Sequence, residues 1–272
     1  MEHGHLGGRA AVRLARPRAT GIVLGVREKI ALVIALQSLG VLEGTPLALD
    51  VERVIRKLTS AVPGSAPNTG IDELRRRFVY VPDGGTKSLE GREEIVDAVF
   101  TATIHQHPVR VSYRSRRRAS TVTIHPYAIA LYRNGLYVVG ATARNAAPRT
   151  FALDRISRAT RLRSSRFDIP PDFSIEDWFE DAFGIFTGAE RTRVVARFAP
   201  EVADLVRARV WHRSQLLRPH GAGVELTLES SATPELRSWL VGWGPWVDVV
   251  SPVDLRDHVR GEHLAAARSN RR

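Results

Sequence analysis

The stretch Val111–Gly140, VSYRSRRRASTVTIHPYAIALYRNGLYVVG, alternates apolar and polar residues on both sides of four arginines that lie between Arg114 and Arg118. A period of two marks a β-strand with one buried face, whereas a helix needs a period near 3.6. VRVSYRS and STVTIHPYAIA, separated by a polar turn, read as a hairpin. Asn134–Gly135, the strongest kind of short hairpin signal, joins YAIALYR to LYVVGATA. RTFALDRISRATRL reads as one further strand. Four or five short antiparallel strands within about sixty residues predict a small closed barrel over 108–166 rather than a sandwich.

Upstream the period changes. VREKIALVIALQSLGVLEG sets Ile30, Val33 and Ile34 at helical spacing. In LALDVERVIRKLTSAVPG, Asp50 is the expected N-cap of a helix whose apolar face carries Val51, Val54, Ile55 and Leu58. IDELRRRFVYVP predicts a short helix, and SLEGREEIVDAVFTATIHQ a longer one that buries Ile95, Val96, Val99 and Phe100. Residues 26–107 therefore read as a helical unit, and 1–25, rich in Gly and Arg, as a flexible basic arm. Downstream, Pro170 and Pro171 open a linker over 167–190 that holds a short acidic and aromatic helix in SIEDWFEDAFGIF. Residues 191–272 read β-α-β-β-α-β-α, with a hairpin around Gly221–Gly223 and a helix capped by Thr233. The fold class is α+β.

The chain has 272 residues, 43% hydrophobic and 25% charged, within the range of ordinary globular proteins. No apolar run approaches the roughly 18 residues of a membrane span. The N-terminal residues lack the apolar segment of a secretory signal, and cysteine is absent; both fit a cytoplasmic protein. The net charge of +11 points to an anionic partner, and all but three of the 40 basic residues (Lys29, Lys57 and Lys87) are arginine. Enzymatic signals are missing: there is no phosphate-binding G-x-x-x-x-G-K-[ST] and no G-x-S-x-G. His105 and His107 stand two apart, and His258 and His263 five apart, neither being the spacing of a helical zinc pair. The sequence implies no metal, no cofactor and no catalysis.

VRVSYRS, TIHPYAIALYRNGLYVVGA and RTFALDRI resemble the WYL domain of bacterial transcriptional regulators, named for a Trp-Tyr-Leu triplet that stands here as Leu136-Tyr137-Val138. The segment from VVARFAP to VVSPVDLRDHV is similar to the C-terminal extension that accompanies these domains, and the preceding helical unit resembles the segment such regulators place before the barrel. The resemblance implies an Sm-like (SH3-type) barrel at 108–166 and an extension domain at 191–272. It also implies a basic, aromatic pocket that senses a nucleotide, an oligonucleotide or single-stranded nucleic acid, and a homodimer. The winged helix-turn-helix that opens family members is expected on a partner chain or outside this sequence, since about 25 residues precede the helical unit and they lack its amphipathic helices.

Carried over position by position, the family's pocket implies Tyr113, His125, Tyr137, Arg149 and Arg155 as ligand contacts. Strand parity sets Arg149 in phase with Phe151 and Leu153, so a half-buried guanidinium is expected. Two readings are open for it: an anionic ligand, or a brace to Asp154 or Glu176. Tyr113 and Tyr137 can equally serve the core, and His125 the local structure. Arg114, Arg116, Arg117 and Arg118 are second-rank phosphate contacts, set against the bland reading of a solvated turn. Ala152 stands where family members often carry arginine, which makes the pocket less basic. The alternative function is a stand-alone basic nucleic-acid-binding module without sequence-specific reading.

Overall fold

A computed structural model describes residues 2–6, 9–13, 24–43, 45–59, 76–81, 85, 87–115, 118–180, 182–187 and 190–270. These fall into two compact units, 1–93 and 94–272. The first holds a two-stranded antiparallel hairpin, β1 (Glu2–Leu6) with β2 (Arg9–Arg13), within the segment expected to be an irregular arm. Helices α1 (Val26–Ser38) and α2 (Pro46–Thr59) follow, joined by a 3-10 turn at Gly40–Leu42. The Gly25 N–H donates to the Glu28 carboxylate at 2.6 Å, which satisfies a free donor at the start of α1.

Asp50 does not cap α2. The helix starts a turn earlier, at Pro46, because proline's fixed φ suits the first helical position and its missing N–H has no partner there to lose. Asp50 instead accepts a hydrogen bond from Arg53 Nη1 at 2.6 Å along the helix surface. Val54 is exposed, whereas Val33 and Leu42 are buried. Of the short helix expected at 71–82, residues 71–75 and 82 lie outside the described residues, and among 76–81 only Arg76 and Arg77 are helical.

The second unit begins with α3 (Glu93–His105), which buries Val96, Val99 and Ala102 and leaves Ile95 and Phe100 half-buried. Five antiparallel strands follow: β3 (Val109–Arg114), β4 (Ala119–Tyr132), β5 (Gly135–Thr142), β6 (Asn145–Ala152) and β7 (Ile156–Arg161). Their order in the sheet is β6-β5-β4-β3-β7. The segment expected to be one strand, RTFALDRISRATRL, is therefore two, parted by a 3-10 turn at Leu153–Arg155 that carries the chain from one sheet edge to the other.

The expected closed barrel is a curled but open sheet: no ladder joins the edge strands β6 and β7 among the described residues. The curl is measurable. Tyr113 on β3 and Phe151 on β6 stand three strands apart, about 14 Å on a flat sheet. Their rings meet edge to face at 5.4 Å. The β4–β5 turn is also one residue earlier than Asn134–Gly135: Arg133 and Asn134 occupy the loop with φ of 43° and 52°, and Tyr132 pairs with Gly135. Positive φ at both loop positions gives the turn the twist that an antiparallel pair requires.

After α4 (Ile175–Glu180) comes a second sheet, β8 (Thr192–Phe198), β9 (Leu216–His220), β10 (Gly223–Ser230) and β11 (Val247–Ser251), in the order β11-β8-β10-β9. Helices α5 (Pro200–Arg207), α6 (Pro234–Gly242) and α7 (Val253–Ser269) supply its partners in a core built from Val194, Phe198, Leu226, Leu236, Leu240 and Leu255. Thr233 caps α6 as expected, its hydroxyl accepting from the Leu236 N–H. The linker ties the two sheets together. Phe183 enters the second core against Trp239, while Ile185 and Phe186 pack on Tyr137 of the first sheet.

Candidate ligand-binding groove

The curl of the first sheet makes a groove of about 470 Å³ between β3, β4, β5 and β6. Its apolar wall is the Tyr113–Phe151 pair. A bulge in the β3–β7 pairing lies between Ser112 and Tyr113, where such an irregularity re-aims a side chain. The Tyr113 hydroxyl accepts from the Ala152 N–H at 3.4 Å, so the ring is tethered across the sheet.

Two turns supply the rim. Ser115 closes the β3–β4 turn: its N–H and hydroxyl donate to the Arg118 carbonyl at 2.9 and 2.8 Å, and its oxygen accepts from the Arg118 N–H at 3.1 Å. This clamp fixes the backbone from which Arg118 projects. Opposite, the Thr142 hydroxyl accepts from the Asn145 N–H at 3.1 Å, and the Ala143 N–H donates to the Thr123 carbonyl at 3.0 Å, which pins the turn that carries Arg144. Arg149 enters from β6. The lining thus combines three arginines, one aromatic pair and the hydroxyls of Ser120, Thr121 and Thr123, with no acidic side chain among the described residues. Such a set offers charge-assisted donors, ring faces and small polar groups to an anion with an aromatic part.

Of the residues singled out from sequence, Tyr113, Arg149 and Arg118 come together here. Arg149 is exposed rather than half-buried, because β6 is an edge strand, and no ion pair braces it to Asp154 or Glu176 among the described residues. Tyr137 is 6% exposed and packs with Ala152 and Ile185, away from the groove. Arg155 sits half-buried in the 3-10 turn and Arg114 at the exposed end of β3; neither lines the groove. Arg116 and Arg117 lie outside the described residues. Arg144 was missed. It stands alone in a turn of ordinary composition, and only the register of β5 on β4 and β6 brings it to the rim.

His125 also faces elsewhere, stacked on Phe167 at 5.1 Å with rings 5° apart. Burial lowers its pKa below the ordinary 6.5. The unfolded chain therefore takes up a proton that the folded one resists, so this contribution to stability is complete above about pH 6.5 and is lost on acidification below it. Thermal unfolding between about pH 7 and pH 5 should show wild type losing stability relative to His125→Phe, which keeps an aromatic ring and cannot titrate. Parallel curves would overturn this account of the stack.

Family models match two parts of the second unit. The WYL domain matches residues 94–161, and the WCX domain matches residues 190–267. The chain contains a WYL domain followed by a WCX domain. The WYL match spans α3 through β7, so the groove is framed by WYL-domain strands, and the WCX match covers the second sheet with its helices. Protein PafB of Mycobacterium leprae (strain TN) is 27% identical over 211 residues, which is 71% of this chain and 59% of that protein. This WYL-domain chain thus spans less than two thirds of that relative's length. Among solved structures, proteasome accessory factor B/C (PafBC) of Arthrobacter aurescens is similar over 85% of this chain and 32% of its own, at 19% identity and a TM-score of 0.35. A CRISPR Cas-related protein is similar over 65% of this chain and 51% of its own, at 13% identity and a TM-score of 0.45. Among the described residues, no group of acidic, histidine or cysteine side chains could hold a metal ion, and no helix is long and apolar enough to cross a membrane.

Proposed function

We propose that this chain is the ligand-sensing part of a WYL-type transcriptional regulator, with the groove as its sensor site. The ligand class is a nucleotide, an oligonucleotide or single-stranded nucleic acid. The observation that carries the reading is the groove's lining: Arg118, Arg144 and Arg149 converge beside the Tyr113–Phe151 pair without a carboxylate among the described residues. Arginine forks hold phosphate, and the rings accept a base. On this reading the curled sheet is an open form of the Sm-like barrel.

The protein acts as a dimer, in line with the family resemblance, and ligand shifts the balance between dimer geometries. The linker supports such coupling: the Thr150 hydroxyl, next to Arg149, donates to the Ile185 carbonyl at 3.0 Å, and Phe183 sits in the core of the WCX sheet. A DNA-reading domain, on this chain or a partner, would follow the change.

Titration of the purified chain with a labelled single-stranded trinucleotide tests the proposal. Affinity should fall with salt, the log–log slope being about −0.7 for each phosphate held. Absence of binding at low ionic strength would overturn it. A second reading, a stand-alone module that holds nucleic acid without regulating transcription, predicts the same titration but no change of dimer state on binding, as read by sedimentation.

A further inference from the structure

A second run of cations lies outside the turn at 114–118. Between Arg155 and Arg166 five arginines fall within twelve residues, with no acidic residue among them. The last three, Arg161, Arg163 and Arg166, gather at the corner where α3 ends and β3 begins. Arg161 pairs with Val109 in the β3–β7 ladder, the Leu162 N–H donates to the Pro108 carbonyl at 2.9 Å, and the Phe167 N–H donates to the Gln106 carbonyl at 3.0 Å. These bonds lay the segment 161–167 along 105–109. On the facing segment, His105 and His107 stack with ring centroids 5.7 Å apart. Gln106 between them has a φ of 53°.

Burial, and then Arg161, Arg166, His105 and Arg163, hold the His107 pKa below its ordinary value; every charge acting on it is cationic. None of the three arginines is held in an ion pair among the described residues, and Arg163 and Arg166 are exposed. His107 Nδ1 is buried with no hydrogen-bond partner among them. Like charges fixed side by side by backbone bonds repel, and an anion relieves that repulsion. The corner shares no lining residue with the groove. It stands at the Val109 end of β3, about 20 Å from the Arg118 turn at roughly 3.3 Å per strand residue and about two strand spacings from Thr123, the groove residue that pairs with Arg110.

We propose that Arg161, Arg163 and Arg166, with His105 and His107, form a second anion site that takes the phosphodiester backbone of a nucleic acid. The choice of nucleic acid among polyanions rests on the reading of the groove; the existence of the site does not. A short ligand held at the Arg118 end of the groove, beside Tyr113 and Phe151, does not reach the corner, whereas a strand running on from there along β3 arrives there. The corner therefore adds affinity for long strands and none for short ones.

The test uses the full chain, a labelled single-stranded trinucleotide, and a labelled strand of about 20 nucleotides. The variant Arg161→Gln/Arg163→Gln/Arg166→Gln should bind the trinucleotide as wild type does. It should bind the long strand more weakly, with a log–log salt slope shallower by about 2, or roughly 0.7 for each of three cations. Arg163→Glu, a single reversal at an exposed position, should weaken long-strand binding without altering thermal unfolding. That variant separates loss of the site from loss of fold. Long-strand binding with an unchanged slope in both variants, or no binding of the long strand by wild type at low salt, overturns the proposal. So does displacement of the long strand by inorganic phosphate beyond that produced by chloride at equal ionic strength, which would mark a site for the free anion. If the trinucleotide fails to bind while the long strand binds in a corner-dependent way, the groove reading falls and the corner stands.

Discussion

The variant Arg118→Ala/Arg144→Ala/Arg149→Ala should bind a short single-stranded oligonucleotide at least about a hundredfold more weakly than wild type. A charge-assisted hydrogen bond contributes about 1.5–3 kcal/mol where water is excluded, and exposed pairs contribute less. The groove is open to solvent and Arg149 is exposed, so the lower end applies. Even about 1 kcal/mol from each of the three gives roughly 3 kcal/mol, or two decades in affinity. The salt slope should flatten at the same time, because each lost contact releases one fewer counterion. Arg155→Ala and Arg114→Ala are the matched controls: they remove the same charge but lie outside the groove, so affinity should change by less than about threefold through long-range attraction alone. If the triple variant stays within threefold of wild type, or Arg155→Ala matches its loss, the ligand site is elsewhere.

The contrast between Arg144 and Arg155 shows what sequence carries and what it leaves to topology. The order of elements was legible because the hydrophobic period changes from 3.6 to two near Val109 and back again, and because prolines and glycines mark the joints. The WCX half was legible element by element for that reason: Gly221 to Gly223 turns β9 into β10, and Thr233 caps α6. Parity was legible too, since Arg149 and Phe151 do share a face, as an alternating strand demands. The missed joints carry no such marks. The Leu153–Arg155 turn contains neither Gly nor Pro, so β6 and β7 ran together as one strand. At α2, two legitimate start signals compete within five residues, and Pro46 prevails over Asp50. Membership of the groove depends on curl, a property of the whole sheet. Curl brings Phe151 across to Tyr113 and sets Arg144 on the rim. Tyr137, one face over on β5, is turned into the cluster with Ile185, a residue of the linker 48 positions away.

Gly140→Ala should destabilise the fold by about 3 kcal/mol or more, the largest effect expected of any single methyl added to the first sheet. The cause is space rather than backbone freedom. A Cβ at Gly140 would stand 2.1 Å from the His125 carbonyl oxygen and 3.1 Å from the Pro126 Cα. Both obstacles are backbone, so no rotamer change relieves the clash; β4 and β5 must separate. They meet there at an irregularity, between Pro126 and Ala128, where the ladder already lacks a regular pair. Gly140 also pairs with Arg149 on its other side, so a shift of β5 carries the groove's arginine with it. Loss of oligonucleotide binding should therefore accompany loss of stability, and added ligand should recover part of both. Gly242→Ala is the control: a Cβ at the end of α6 meets nothing within 4 Å, and alanine there should be neutral or stabilising by up to about 1 kcal/mol. Chemical denaturation followed by circular dichroism measures both variants. A Gly140→Ala midpoint equal to that of wild type would mean that β4 and β5 do not approach as closely as the His125–Gly140 contact requires, and the curl that builds the groove would lose its support.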